Sequence, residues 1–163
     1  MRWGRWLVTF AGSLLLTVIV ALAAIGGYFY WDRVETRGEQ AARAVLPKLA
    51  AKEIPQVFAY DYQTVERSLT EAYPLLTPEY RAEFQKSANA QIIPEAKKRE
   101  VVVQASVVGV GVIAAKRNSA SVMVYMNRTV TDKARQPLYD GSRLRVDFKL
   151  VSGKWLIAYI TPI

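Results

Sequence analysis

From Trp6 to Trp31 the chain carries no charged side chain, and at the centre of this run lies Leu14-Leu-Leu-Thr-Val-Ile-Val-Ala-Leu-Ala-Ala-Ile25. A helix rises about 1.5 Å per residue, so roughly 20 apolar residues cross the hydrocarbon core of a bilayer. The run is long enough to span with some tilt. Trp3 and Trp6 flank one end and Tyr28-Phe-Tyr-Trp31 the other, where amphipathic rings favour the interface. The competing reading is a cleaved signal peptide, because Ala21-Leu-Ala23 resembles a cleavage site. A signal h-region covers only about 7–15 residues, and this run is longer, which favours an uncleaved anchor. Arg2, Arg5 and the terminal amine mark the N-terminal side as cytoplasmic, although Arg33 and Arg37 follow the span closely. The expected topology is a single pass of the plasma membrane with the C-terminal domain outside the cytoplasm.

Three segments follow: an N-terminal tail and transmembrane helix over 1–31, a stalk helix over 32–57, and an extracytoplasmic α+β domain over 58–163. The last two together leave room for one real core. The net charge is +8, with Lys and Arg spread along the whole chain. A nucleic-acid reader concentrates that charge on one element among stacking aromatics, and no such element is found. A basic chain tethered to a membrane reads more simply as one sitting over anionic lipid. There is no cysteine and no histidine. Disulfides, thiol catalysis and thiolate metal sites are therefore excluded, and the commonest general base and metal ligand are missing. The expectation is a protein that is not an enzyme, with no catalytic, cofactor-binding or metal residues and no cofactor.

Asp32 to Lys52 is rich in strong helix formers, with Val45, Leu46 and Leu49 as a thin apolar stripe. A solvated linker is the alternative to a stalk here. Pro47 is expected to kink or divide this helix. A second helical block runs from about Asp61 to Arg99, with a short helix over Thr64 to Tyr73. Thr77-Pro78-Glu79 is a helix start: hydroxyl cap, proline in the first turn, then an acid. Tyr80, Phe84 and Ala88 recur every four residues as one buried face, and Pro94 breaks or bends the block.

From Val101 the period changes to that of strands. Apolar β-branched residues dominate to Ala115, and Gly109 and Gly111 mark a bend or bulge. After a turn at Asn118-Ser119, Ala120, Val122, Val124 and Met126 share one face. Leu144, Val146, Phe148 and Leu150 alternate with polar partners and face a core. Ser152-Gly153 makes a hairpin turn, and Trp155 to Ile160 closes the sheet, with Trp155 buried. Helices followed by an antiparallel meander predict an α+β domain, its helices in the concave face of a curved sheet.

Several blocks carry a resemblance: Phe58-Ala-Tyr-Asp-Tyr-Gln-Thr-Val65, Ile93-Pro-Glu-Ala-Lys97, Ala120-Ser-Val-Met-Val-Tyr-Met-Asn-Arg-Thr-Val130 and Gly153-Lys-Trp-Leu-Ile157. With the N-terminal apolar segment, their order and spacing resemble the Mce-associated membrane proteins of actinobacteria, over nearly the whole chain. The resemblance implies a cone of curved sheet and helices like nuclear transport factor two and ketosteroid isomerase. It also implies a role as accessory or stabilising subunit beside Mce-type lipid importers of sterols or fatty acids, so the implied partners are the membrane, Mce-type transporter subunits and lipid. It supplies no catalytic residues. Two alternatives share the plan: a lipid-binding module with an apolar ligand in the cone, and an assembly component resembling the periplasmic domains of type IV secretion systems.

Three clusters resemble sites. Asp61 between Tyr60 and Tyr62 could serve as an acid with a tyrosine donor, but capping of the next helix fits it better. Lys97-Lys-Arg99 with Lys116-Arg117 could bind headgroups or an acidic partner, against a plain solvated helix end and hairpin tip. Tyr125, Met123 and Tyr139 could form an apolar outer face, but core or cavity lining is the simpler expectation.

Overall fold

A computed structural model describes residues 3–134 and 136–163, with side chains from residue 17 onward. The chain divides into two compact units, Met1–Arg37 and Gly38–Ile163. Helix α1 covers Trp3–Phe58. Within the first unit, every side chain from residue 17 to residue 33 is exposed, Tyr28, Phe29, Tyr30 and Trp31 among them. Among the described residues, no helix is long and apolar enough to cross a membrane. The apolar run begins at Trp6, so its first part lies outside the residues whose side chains are described.

The second unit opens with the rest of α1. Ala42, Leu46, Ala50, Ile54 and Val57 recur at helical spacing and are all buried. The residues read as stalk are therefore divided, and those after Arg37 form the first core element of the domain. Val45, placed in the apolar stripe from sequence, is 49% exposed. The stripe looked thin because two of its members are alanines, which count little in a hydropathy pattern yet let a helix approach a sheet closely.

Pro47 and Pro55 both sit inside α1, so the expected division of the helix at Pro47 does not occur. Pro47 withholds one hydrogen bond from the carbonyl of residue 43, at a helix-interior cost of about 3 kcal/mol. Burying Leu46, Ile54 and Val57 offsets this, at roughly 1.5–3 kcal/mol each. Packing outweighs the local penalty.

Past α1, strand β1 (Tyr60–Asp61) is followed by α2 (Val65–Ala72), a 3₁₀ turn over Tyr73–Leu75, and α3 (Pro78–Ser87). Thr77 caps α3 as expected: its hydroxyl accepts from the Tyr80 amide at 3.4 Å. Its own N–H donates to the Ile157 carbonyl at 2.9 Å, which fixes the start of α3 to the sheet. Pro94 bends the block, through a π-helical turn over Ala88–Ile92 that leads into α4 (Ile93–Arg99). Glu100 then takes a left-handed conformation (φ 53°) that ends α4.

Strands β2 (Val102–Ala115), β3 (Ser119–Thr131), β4 (Leu138–Val151) and β5 (Lys154–Pro162) complete an antiparallel sheet in the order β1-β2-β3-β4-β5. It is the curved antiparallel sheet of an α+β domain. A bulge at Val108, beside Gly109, and another at Ile113 interrupt the β2–β3 register. Ala120, Val122, Val124 and Met126 face inward with Leu144, Val146, Phe148 and Ile157. They meet the buried face of α1, while Tyr80 and Phe84 of α3 pack on the edge of the same cluster. Trp155, expected to be buried, is only partly so and packs at the margin. A second cluster joins Val65 and Leu69 of α2 to Ala88 and Ala96.

Candidate functional site

Asp61 lies in β1, where its short strand pairs with Val102 and Val103. Its carboxylate accepts from the Gln63 amide at 2.8 Å, and its carbonyl from the Thr64 amide at 2.9 Å. This is an Asx turn ahead of α2. The expected helix cap is not formed: the cap position belongs to Thr64, whose side chain makes no capping bond. Tyr60 and Tyr62 pack against the second cluster. Burial pushes the Tyr60 hydroxyl above its ordinary pKa, opposed by the charge of Arg128.

The two basic clusters are not brought together. Lys97 to Arg99 end α4 beside the start of β2, whereas Lys116 and Arg117 follow its last residue. A strand rises about 3.3 Å per residue, so the length of β2 separates them. At the first end, Lys97 Nζ lies 2.6 Å from Glu66, and Arg99 lies 2.8 Å from Asp132. The Arg99 guanidinium, together with the Ala134 amide, holds the Asp132 carboxyl below its usual range.

Tyr125 and Tyr139 lie on the outer face of the sheet, 46% and 76% exposed, and Met123 beside them is half-buried. They do not line the core, contrary to the expectation. The inward positions of β3 belong to Val122, Val124 and Met126, and the period of two sends the intervening residues outward. Tyr125 lies over Gly109 across the strand pair, 3.7 Å from where a Cβ would stand.

One perturbed group went unnoticed in the sequence. Glu53 of α1 is half-buried between the core positions Ala50 and Ile54, and its Oε2 has no hydrogen-bond partner among the described residues. Burial raises its pKa from 4.5 to about 7, with Lys52 lowering it slightly. The signal for it in the sequence is its place next to Ile54 on the buried stripe of α1.

A carboxyl whose folded pKa lies above its unfolded one supports the fold at low pH. That support is complete below about 4.5 and is lost as pH rises through about 7. With no histidine or cysteine in the chain, little else titrates in that window. Raising pH from 5 to 8 should therefore lower the unfolding free energy by about 1–2 kcal/mol, the full shift being discounted for partial exposure. Glu53→Gln should flatten that dependence, as read from urea midpoints of the detergent-solubilised chain. An unchanged slope in the variant would reject the assignment.

Among the described residues, no cluster of three or more acidic side chains is placed to hold a metal ion. The concave face of the sheet is filled by α1, with Leu46, Ile54, Val122, Val124, Val146 and Phe148 essentially without exposure.

No known protein-family model matches the chain. Over its full length it is 26% identical to the outer membrane protein Rv1973 of Mycobacterium tuberculosis, which it covers completely. It is 23% identical to the uncharacterised protein Rv1362c of the same organism, over 92% of this chain and 69% of that one. Among solved structures it is similar to an IcmL-like type IV secretion system protein from Legionella pneumophila, with a TM-score of 0.64 and 15% identity. That match covers 74% of this chain and 93% of the other. The periplasmic domain of DotI matches with a TM-score of 0.61 and 14% identity, covering 74% and 94%. The VirB8 protein of Agrobacterium tumefaciens matches with a TM-score of 0.54 and 12% identity, covering 68% and 84%. At these identities the structural likeness is one of fold.

Proposed function

We propose that the chain is a non-enzymatic subunit of a cell-envelope complex, anchored by residues 6–31 with its α+β domain outside the cytoplasm, and that the complex is a lipid importer of the Mce type. The observation that carries the subunit reading is the filled core. A domain whose interior is occupied by its own α1 has surfaces to offer rather than a cavity. The envelope setting draws support from the full-length similarity to a protein named as an outer membrane protein. The anchor draws support from the uncharged run and the exposed apolar helix that continues it. The lipid-import role rests on the sequence resemblance.

A second reading, an assembly component of a secretion-like machine, is favoured by the fold likeness to type IV secretion proteins. The carrier reading is weakened by the same filled core. Co-purification of the tagged native chain in mild detergent separates the first two. Mce-type transporter subunits should co-purify, and secretion components in their place would favour the second reading. In a strain lacking the gene, the full chain should restore lipid uptake, while a chain without residues 1–31 should not, because it loses the high local concentration of a shared membrane. Full rescue by the shortened chain would reject the anchored subunit in favour of a diffusing carrier.

A further inference from the structure

Two groups of cations in the second unit lie at opposite ends of its sheet, in different states. One end holds β1, the entry to β2 and the β3–β4 connection; the other holds the β2–β3 and β4–β5 turns. At the first end, Lys97 pairs with Glu66, Arg99 with Asp132, Lys133 with Glu100 and Arg128 with Asp140. Among the described residues, Lys98 stays outside these pairs. At the second end, Lys116, Arg117, Lys149 and Lys154 are all exposed, and none makes an ion pair among the described residues. The carboxylate nearest to them along the strands, Asp147, is already held by the Ser121 hydroxyl and by Arg145 at 3.2 Å.

These four cations share a built surface. The two turns are tied by a hydrogen bond from the Leu150 amide to the Asn118 carbonyl, 2.9 Å. Ser119 pairs with Lys149 and Val151 with Lys154, so both lysines stand at the turn end of their strands. An open depression of about 280 Å³ has Lys116 and Lys149 on its wall, with Ser119, Ser121, Ala158 and the Asp147 carboxylate, itself held by Arg145, around it.

The same end is where the chain enters the second unit. Gly38 is the first residue of that unit, and a Cβ there would stand 2.7 Å from Arg117 Cγ and 3.1 Å from its Cα. Only glycine lets the hairpin tip lie that close to α1. Six residues lie between Trp31 and Gly38, so the two are at most about 25 Å apart even with the chain fully extended.

We propose that Lys116, Arg117, Lys149 and Lys154 form a headgroup-binding rim, which docks the domain on anionic phospholipid of the membrane its own N-terminal run enters. The proposal rests on reading residues 6–31 as the anchor. Exposed ammonium and guanidinium groups at the end where the chain enters this unit would meet phosphate at little desolvation cost, and each is worth about a fivefold gain in the docked population at an anionic surface. The depression between Lys116 and Lys149 is of a size to take one phosphate group, with Ser119 as the hydroxyl donor, while the Ser121 hydroxyl stays on Asp147. At the opposite end, four of the described cations are held in ion pairs, which weakens their attraction to an anionic surface.

The absence of cysteine makes the test direct. The full chain carrying Ser152→Cys is labelled with a thiol fluorophore and reconstituted into vesicles of phosphatidylcholine, with or without phosphatidylglycerol. Energy transfer to a headgroup-labelled lipid reports the approach of the turn to the surface. Ala134→Cys, at the opposite end, serves as reference. Transfer from residue 152 should rise on adding phosphatidylglycerol, while transfer from residue 134 stays low. Lys116→Glu with Lys149→Glu should lower the docked-to-free ratio at least about tenfold, and about 1 M salt, where screening falls to ~3 Å, should do the same. Circular dichroism checks that the charge variants keep the fold. Equal transfer from residue 152 in both lipids, in chains that resist alkaline carbonate extraction, would overturn the docking rim and leave the anchor standing. Release of the chain by carbonate would overturn the anchor reading, and the proposal with it.

Discussion

Phe148→Ala should lower the unfolding free energy of the second unit by about 3–5 kcal/mol, the usual range for removing a fully buried aromatic ring. Phe148 is 1% exposed and pairs with Ala120 on one side and Ile157 on the other. Its ring lies in the layer formed by Val146, Val122 and the buried face of α1. The small neighbours cannot swell to refill the space, so both the transfer term and the cavity term apply. The adjacent Lys149 is exposed, and Lys149→Ala should change stability by no more than about 0.5 kcal/mol. Urea unfolding of the full chain in detergent, followed by far-ultraviolet dichroism, measures both. Equal losses in the two variants would show that the inward and outward faces of β4 are interchanged.

The second large effect lies on α1. Leu46→Ala should cost about 2–5 kcal/mol, because Leu46 is fully buried in the main core. Its neighbour Val45 is 49% exposed, and Val45→Ala should cost at most about 0.5 kcal/mol. The pair discriminates between two descriptions of residues 38–57. A stalk standing in solvent would make both substitutions mild and leave the sheet domain equally stable without them. A core helix makes Leu46 as costly as a sheet residue. Comparable small losses at both positions would return this segment to a stalk.

Much of the local structure was legible from residue order. The cap at Thr77, with Pro78 and Glu79 behind it, depends on atoms within one turn. So does the hairpin at Ser152-Gly153, where both residues take positive φ. The inward run of Leu144, Val146 and Phe148 follows from a period of two against polar neighbours, which needs no knowledge of what covers it. The uncharged run before Asp32 is legible for the same reason, since its meaning depends on length and composition alone.

Other features were decided only when distant segments met. A propensity scale assigns Pro47 a break, because the gain that outweighs it comes from a sheet about 80 residues later in the chain. Glu53 looks like any helix glutamate until the core closes beside it and removes water from its carboxyl. Asp61 was read as a cap because nothing local announces the two-residue pairing with Val102 and Val103 that makes it a strand end.

The two basic clusters show the division most plainly. Residue order places Lys97-Lys-Arg99 and Lys116-Arg117 in similar company, each a short cationic group beside a strand. Which carboxylates neutralise the first group depends on Glu66 and Asp132, both brought in by folding. That the second group stays unpaired, beside Gly38 where the chain enters its domain, depends on the direction of α1 against the sheet. Sequence alone determined the elements and their faces, because those obey short-range periods. The tertiary structure decided which charges remain free, because electrostatic partners are chosen by distance in space and not by distance along the chain.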